Sequence, residues 1–177
     1  MSGATTVRPV AVLVGSPGAG KTTVGALLAA RLGVTLRDTD ADVEAALGMS
    51  VSDVFIEQGE DAFRAAERDA VEAALAGHPG VLALGGGAVL AERTRAALAG
   101  HTVVYLDVDL ADAAKRVGLA RDRPLLVEAP RTRLAVLLRE RKPLYEQVAT
   151  IVVETAGRGP DEIVDEILAK LPTGGAE

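Results

Sequence analysis

At 177 residues, with a net charge of −6 and no cysteine, the chain is sized for one domain around one core and has neither a disulfide scaffold nor a thiolate zinc site. The acidic balance, with two Phe, two Tyr and no Trp, argues against a nucleic-acid surface, which needs basic patches and stacking aromatics. Although 49% of the residues are hydrophobic, no stretch approaches the roughly 20 uninterrupted apolar residues of a membrane span, and residues 1–9 lack the charged and apolar regions of a secretory leader, so a soluble cytoplasmic monomer is expected.

In chain order, an aliphatic run at 10–14 predicts a first strand that leads into Gly15-Ser16-Pro17-Gly18-Ala19-Gly20-Lys21-Thr22, a match to G-x-x-x-x-G-K-[ST]. Helical spacing over 22–32 ends at Gly33, and a second strand at 35–38 ends on Asp38-Thr39-Asp40. A small inserted helix is predicted within 49–59, where Ser50 and Asp53 have capping-box spacing, followed by a long helix over 60–75 stopped by Gly77. A third strand at 81–84 runs directly into Gly85-Gly86-Gly87, and a fourth is read at 102–106. Asp109 is placed to cap a helix reaching about Val117. Residues 118–130, with two prolines and several charges, read as an exposed mobile loop. Helices at 131–141 and 161–171, a fifth strand at 150–153 and a frayed tail at 172–177 complete the chain. Strands alternating with alanine-rich helices give the α/β class, a parallel sheet covered by helices.

The chemistry follows from what lies at the carboxyl ends of those strands. Glycines let the loop backbone curl with its N–H groups inward, and the next helix adds the positive end of its dipole, which together cradle a phosphate. Lys21 can then reach the β- and γ-phosphates, and the Thr22 hydroxyl can ligate Mg²⁺. Asp38 and Asp40 open on the same edge. One suits the magnesium shell through water, and the other suits the proton of an attacking hydroxyl; Asp40 equally suits the cap of the helix that follows. Three consecutive glycines at 85–87 leave room for a ligand at the backbone, beyond what a tight turn requires. Arg64, with Glu67 at i+3, and Arg141, read as ending its helix before Lys142-Pro143, suit bidentate capture of a carboxylate. Arg116 and Arg123 bracket the start of the loop, and Arg123 is placed to act as an arginine finger in cis. His78 and His101 have no metal-ligand spacing.

Taken together, the P-loop, Asp38-Thr39-Asp40, Phe63-Arg64, Gly85-Gly86-Gly87, Arg123-Pro124-Leu125 and Arg141 with Pro143-Leu144-Tyr145 resemble the shikimate kinase family over nearly the whole chain. The resemblance implies a five-stranded parallel sheet of order 2-3-1-4-5, as in nucleoside monophosphate kinases, with an acceptor-binding subdomain at about 40–75 and a lid at about 118–130. It implies ATP and Mg²⁺ as cofactors and shikimate as substrate. Gly18, Ala19, Gly20, Lys21, Thr22, Thr23, Arg116, Arg123, Arg158 and Pro160 would then face the nucleotide. Asp40, Arg64, Gly85, Gly86, Gly87 and Arg141 would face shikimate, Thr22 and Asp38 would serve the metal, and Lys21, Asp40 and Arg123 would take part in transfer. A gluconate-type kinase, or a module that hydrolyses ATP slowly without an acceptor, would share the P-loop; the second would not require paired Arg64 and Arg141.

Overall fold

The computed structural model describes residues 5–118 and 130–173. Its centre is one parallel sheet of β1 (Ala11–Val14), β2 (Leu36–Asp38), β3 (Val81–Ala83), β4 (Val103–Asp107) and β5 (Ile151–Glu154), in the order β2-β3-β1-β4-β5. Register pairs such as Leu13 with Ala83 and Leu13 with Val104 level the strand ends. Because β1 has β3 on one side and β4 on the other, the chain leaves β1 where the strand order reverses, the usual crevice for ligands in such sheets.

Helices α1 (Lys21–Leu32), α6 (Leu110–Gly118) and α8 (Pro160–Lys170) cover one face, where Leu28, Ala113 and Ile163 pack with Leu13, Leu106 and Val153. On the other face α4 (Glu60–Gly77) and the end of α5 (Glu92–Ala97) close over Val12, Leu82 and Tyr105. A small separate cluster of Val43, Val54 and Phe63 joins α2 (Thr39–Leu47), α3 (Val51–Glu57) and the start of α4. Helix α7 (Pro130–Val148) serves both faces, sending Leu134 into the first cluster and Tyr145 into the second.

Local signals account for several boundaries. Gly33 ends α1 in the left-handed region at φ 67°, Ser50 accepts from the Asp53 N–H at 3.1 Å to start α3, and Asp109 accepts from the Asp112 N–H at 2.8 Å to start α6. Elsewhere the structure departs from the sequence reading. The cap of α2 is Asp38, whose Oδ1 accepts from the Asp40 N–H at 2.8 Å, so Asp40 sits inside the first turn instead of before it. Helix α7 does not stop at Arg141 but runs on through Pro143 to Val148. Proline forfeits one backbone bond there, whereas the fully buried Tyr145 secures the next turn against the sheet. The short helix α5 and the 3₁₀ turn at Ala88–Leu90 have no counterpart in the sequence reading, since each is too brief for a helical period to stand out. The loop predicted at 118–130 lies almost wholly outside the described residues.

Leu28 is fully buried in the first cluster among aliphatic neighbours, so Leu28→Ala is expected to lower stability by about 2–5 kcal/mol with the fold retained. Urea unfolding followed by circular dichroism measures the loss.

Candidate active site

The loop between β1 and α1 takes its shape from Gly18 and Gly20, at φ 81° and 89°, which bulkier residues rarely adopt. Gly20 precedes the first turn of α1, so the loop amides and the positive end of that helix share one cradle. Lys21 Nζ donates to the carbonyls of Gly15 and Ser16 at 2.6 and 3.1 Å, arching back over the loop. Thr22 and Thr23 are exposed on the first turn of α1, and Ala19 is buried beneath it. Arg116 Nη1 reaches the carbonyls of Gly18 and Ala19 at 3.1 and 3.2 Å, bringing α6 onto the loop.

The other half of the edge is built by β2, α4, the turn after β3, and α7. Arg64 Nη1 donates to Glu67 Oε1 at 2.8 Å, one turn along α4, as the i+3 spacing anticipates. Glu67 is only 3% exposed; burial pushes its carboxyl up, against the opposing pull of the Arg64 guanidinium. Arg141 is also buried, and the loss of water lowers its affinity for the proton, with Tyr145, Arg64 and Glu67 close enough to act on it. Asp40 acts on Glu67 as well. Two guanidinium groups and two carboxylates therefore converge here; Glu67 Oε2 is buried without a hydrogen-bond partner, and Arg64 Nε is paired only at 3.6 Å, with Glu60 Oε1. Under-satisfied polar atoms on one wall of a crevice are what a polar ligand would satisfy.

The glycine triplet has a reason the sequence did not show. A Cβ on Gly85 would stand 2.6 Å from Asp40 Oδ1 and 2.9 Å from Glu67 Oε2, one on Gly86 would press on Pro17 Cδ at 3.0 Å, and one on Gly87 would strike the Arg64 guanidinium. None of the three has a positive φ. They are small so that the site's own side chains can close in. Two further residues, to which the sequence assigns no role of their own, hold this turn: buried Thr39 accepts from the Gly85 N–H at 3.3 Å, and the Tyr145 hydroxyl donates to the Gly86 carbonyl at 2.5 Å. Both stand inside motifs that carry the family resemblance, Asp38-Thr39-Asp40 and Pro143-Leu144-Tyr145.

Arg158 and Pro160 stand at the start of α8, beyond β5. Arg158 is engaged by the Glu154 carbonyl and Glu166 Oε1, both at 2.9 Å, which turns its guanidinium toward α8. Pro160 is the first residue of that helix, and the preceding loop is tied to α6 by the Gly157 N–H donating to Asp112 Oδ2 at 2.9 Å. Arg123 lies outside the described residues. His78 bridges the carbonyls of Thr35 and Val81 through Nε2, a structural task at the opposite edge of the sheet.

Fold and edge together define the class, a P-loop kinase of small molecules. The shikimate kinase family model matches residues 17–172. Among curated relatives, the shikimate kinase of Frankia casuarinae is 68% identical over 160 residues, covering 90% of this chain and 71% of that protein. That of Thermobifida fusca is 62% identical, covering 95% and 98%. The solved shikimate kinase of Acinetobacter baumannii, in complex with shikimate, superposes with a TM-score of 0.87 at 36% identity, covering 94% of this chain and 97% of that one. A gluconokinase from Sinorhizobium meliloti, at 22% identity and a TM-score of 0.59, shares the fold alone. The chain belongs to the shikimate kinase family, enzymes that use ATP to phosphorylate shikimate on the route to the aromatic amino acids.

Because a Cβ at Gly87 collides with the Arg64 guanidinium, Gly87→Ala is expected to displace that arginine and raise the shikimate KM roughly tenfold or more, with the ATP KM changing far less. Steady-state kinetics with each substrate varied in turn measures both.

Proposed function

We propose that this chain transfers the γ-phosphoryl group of ATP to the 3-hydroxyl of shikimate, giving shikimate 3-phosphate and ADP, and works as a cytoplasmic monomer without nucleic-acid partners. The observation that carries the reading is the convergence of Arg64 and Arg141 on Glu67 at the same sheet edge as the P-loop. Two planar guanidiniums held at the P-loop edge offer paired donors in the geometry that a carboxylate on the acceptor would accept. Among the described residues no helix is long and apolar enough to cross a membrane.

In this reading the P-loop amides from Gly18 to Thr22 hold the β-phosphate, and Lys21 swings from the Gly15 and Ser16 carbonyls to the γ-phosphate. Arg116, already on the loop, flanks the base, with Arg158 and Pro160 beyond it. Arg64 and Arg141 fix the acceptor carboxylate, and Asp40 receives a hydrogen bond from the acceptor hydroxyls and orients the one that attacks. Because phosphoryl transfer has a loose transition state, orientation and charge placement contribute more than full removal of the hydroxyl proton. Arg123 would add positive charge at the transferring group from the segment between α6 and α7.

Thr22 and Asp38 suit Mg²⁺. Both offer hard oxygen donors, and the use of Asp38 Oδ1 as the α2 cap leaves its second oxygen for a water of the metal shell. Among the described residues no group of three or more His, Asp or Glu could cage an ion by itself, and a Mg²⁺ shared with nucleotide phosphates needs no such cage. When bound, the ion offsets charge on the β- and γ-phosphates.

An acceptor panel of shikimate, gluconate and AMP in a coupled ADP-release assay tests the reading. Turnover of shikimate alone is expected, and turnover of gluconate or AMP without shikimate would overturn it. Lys21→Ala is expected to cut kcat at least about a hundredfold, whereas Arg141→Ala chiefly raises the shikimate Kd, and Arg141→Lys restores little because a point charge cannot replace the fork. Removing divalent cations with EDTA should abolish turnover, with recovery on adding Mg²⁺.

A further inference from the structure

The acceptor wall contains a buried phenol that the proposed mechanism does not use. Tyr145 is 1% exposed, its ring stacked on Tyr105 with centroids 5.1 Å apart, and its O–H donates to the Gly86 carbonyl. The buried Arg141 stands one helical turn earlier on α7, at the i−4 spacing that puts it on the same face of the helix as Tyr145. Burial pushes the phenol up to about 12, so it stays protonated and keeps donating throughout the pH range of an ordinary assay. Between the two residues stands Pro143, which has no N–H to give the Arg139 carbonyl. The turn carrying Arg141 thus lacks one helical rung.

We propose that Tyr145 is a positioning residue of the acceptor site, fastening the Gly86 carbonyl to α7 one turn from Arg141 so that the glycine turn and the arginine meet the acceptor carboxylate in a fixed relation. The inference rests on the acceptor assignment made above. The turn is gripped from two sides, by Thr39 at the Gly85 N–H and by Tyr145 at the Gly86 carbonyl. Only the second grip connects it to α7. Without the hydroxyl, α7 still carries Arg141 but the glycine turn is no longer fastened beside it, and the cost falls on shikimate and not on ATP.

The test begins with wild-type turnover of shikimate, whose absence would remove the acceptor assignment and this inference with it. Tyr145→Phe keeps the ring and its stack, and is expected to raise the shikimate KM roughly tenfold with the ATP KM within about twofold of wild type. Tyr105→Phe deletes the other hydroxyl of the stack, which bonds Asp107, and is expected to leave the shikimate KM unchanged. In an Arg141→Ala background, Tyr145→Phe should add less than about a twofold further rise, since the two act as a unit. Should Tyr145→Phe not purify folded, Tyr145→Met fills the space without a donor and carries the same expectations. An unmoved shikimate KM, an equal rise in the ATP KM, or full additivity with Arg141→Ala would each overturn the positioning role while leaving the acceptor assignment intact.

Discussion

A parallel sheet brings the carboxyl end of every strand to one edge, and in this chain the phosphate cradle, the carboxylate pair and the glycine turn all open there. The P-loop leaves β1, Asp38 closes β2, and the glycine turn leaves β3. Had any strand run the other way, its polar residues would open on the opposite edge, where His78 only joins backbone carbonyls. The register that aligns Leu13 with both Ala83 and Val104 is therefore as much a part of the site as any side chain. It is maintained by two apolar layers, one under α1, α6 and α8 and the other under α4 and α5.

On that edge the protein keeps two kinds of anion site apart by using different donors. The nucleotide half relies on backbone amides, a helix dipole and one lysine, which suit a phosphate whose charge is spread over several oxygens. The acceptor half relies on buried guanidiniums, whose planar forks suit a carboxylate. Burial strengthens those contacts but makes the charges costly when unmatched, and Glu67 offsets part of that cost by pairing with Arg64. The price of holding Arg64, Arg141, Glu67 and Asp40 so close is space, and Gly85, Gly86 and Gly87 supply it by having no side chains.

Much of this was legible along the chain. The P-loop was readable because a strand, eight residues of fixed pattern and a helix are contiguous, so local geometry alone determines the cradle. The pairing of Arg64 with Glu67 was readable because helical periodicity puts i and i+3 side by side. Arg158 was less legible: its partners Glu162 and Glu166 lie on a helix whose direction relative to β5 no local pattern supplies. Helix α7 was cut short at Arg141 because Pro143 is a strong local stop signal, and it took the packing of Tyr145 against β4 and the glycine turn to outweigh it.

By itself, the sequence determined that this is an α/β chain with a phosphate cradle, a carboxylate pair at the end of β2, and arginines able to grip an anionic acceptor. Each of those depends on neighbours within a few residues, where backbone geometry and spacing suffice. Only the tertiary structure decided that the three glycines are small for the sake of Asp40, Pro17 and Arg64, and that Thr39 and Tyr145 hold the turn between them. Those are contacts between segments tens of residues apart, and they exist only once the two apolar layers have closed the sheet and brought its edge together.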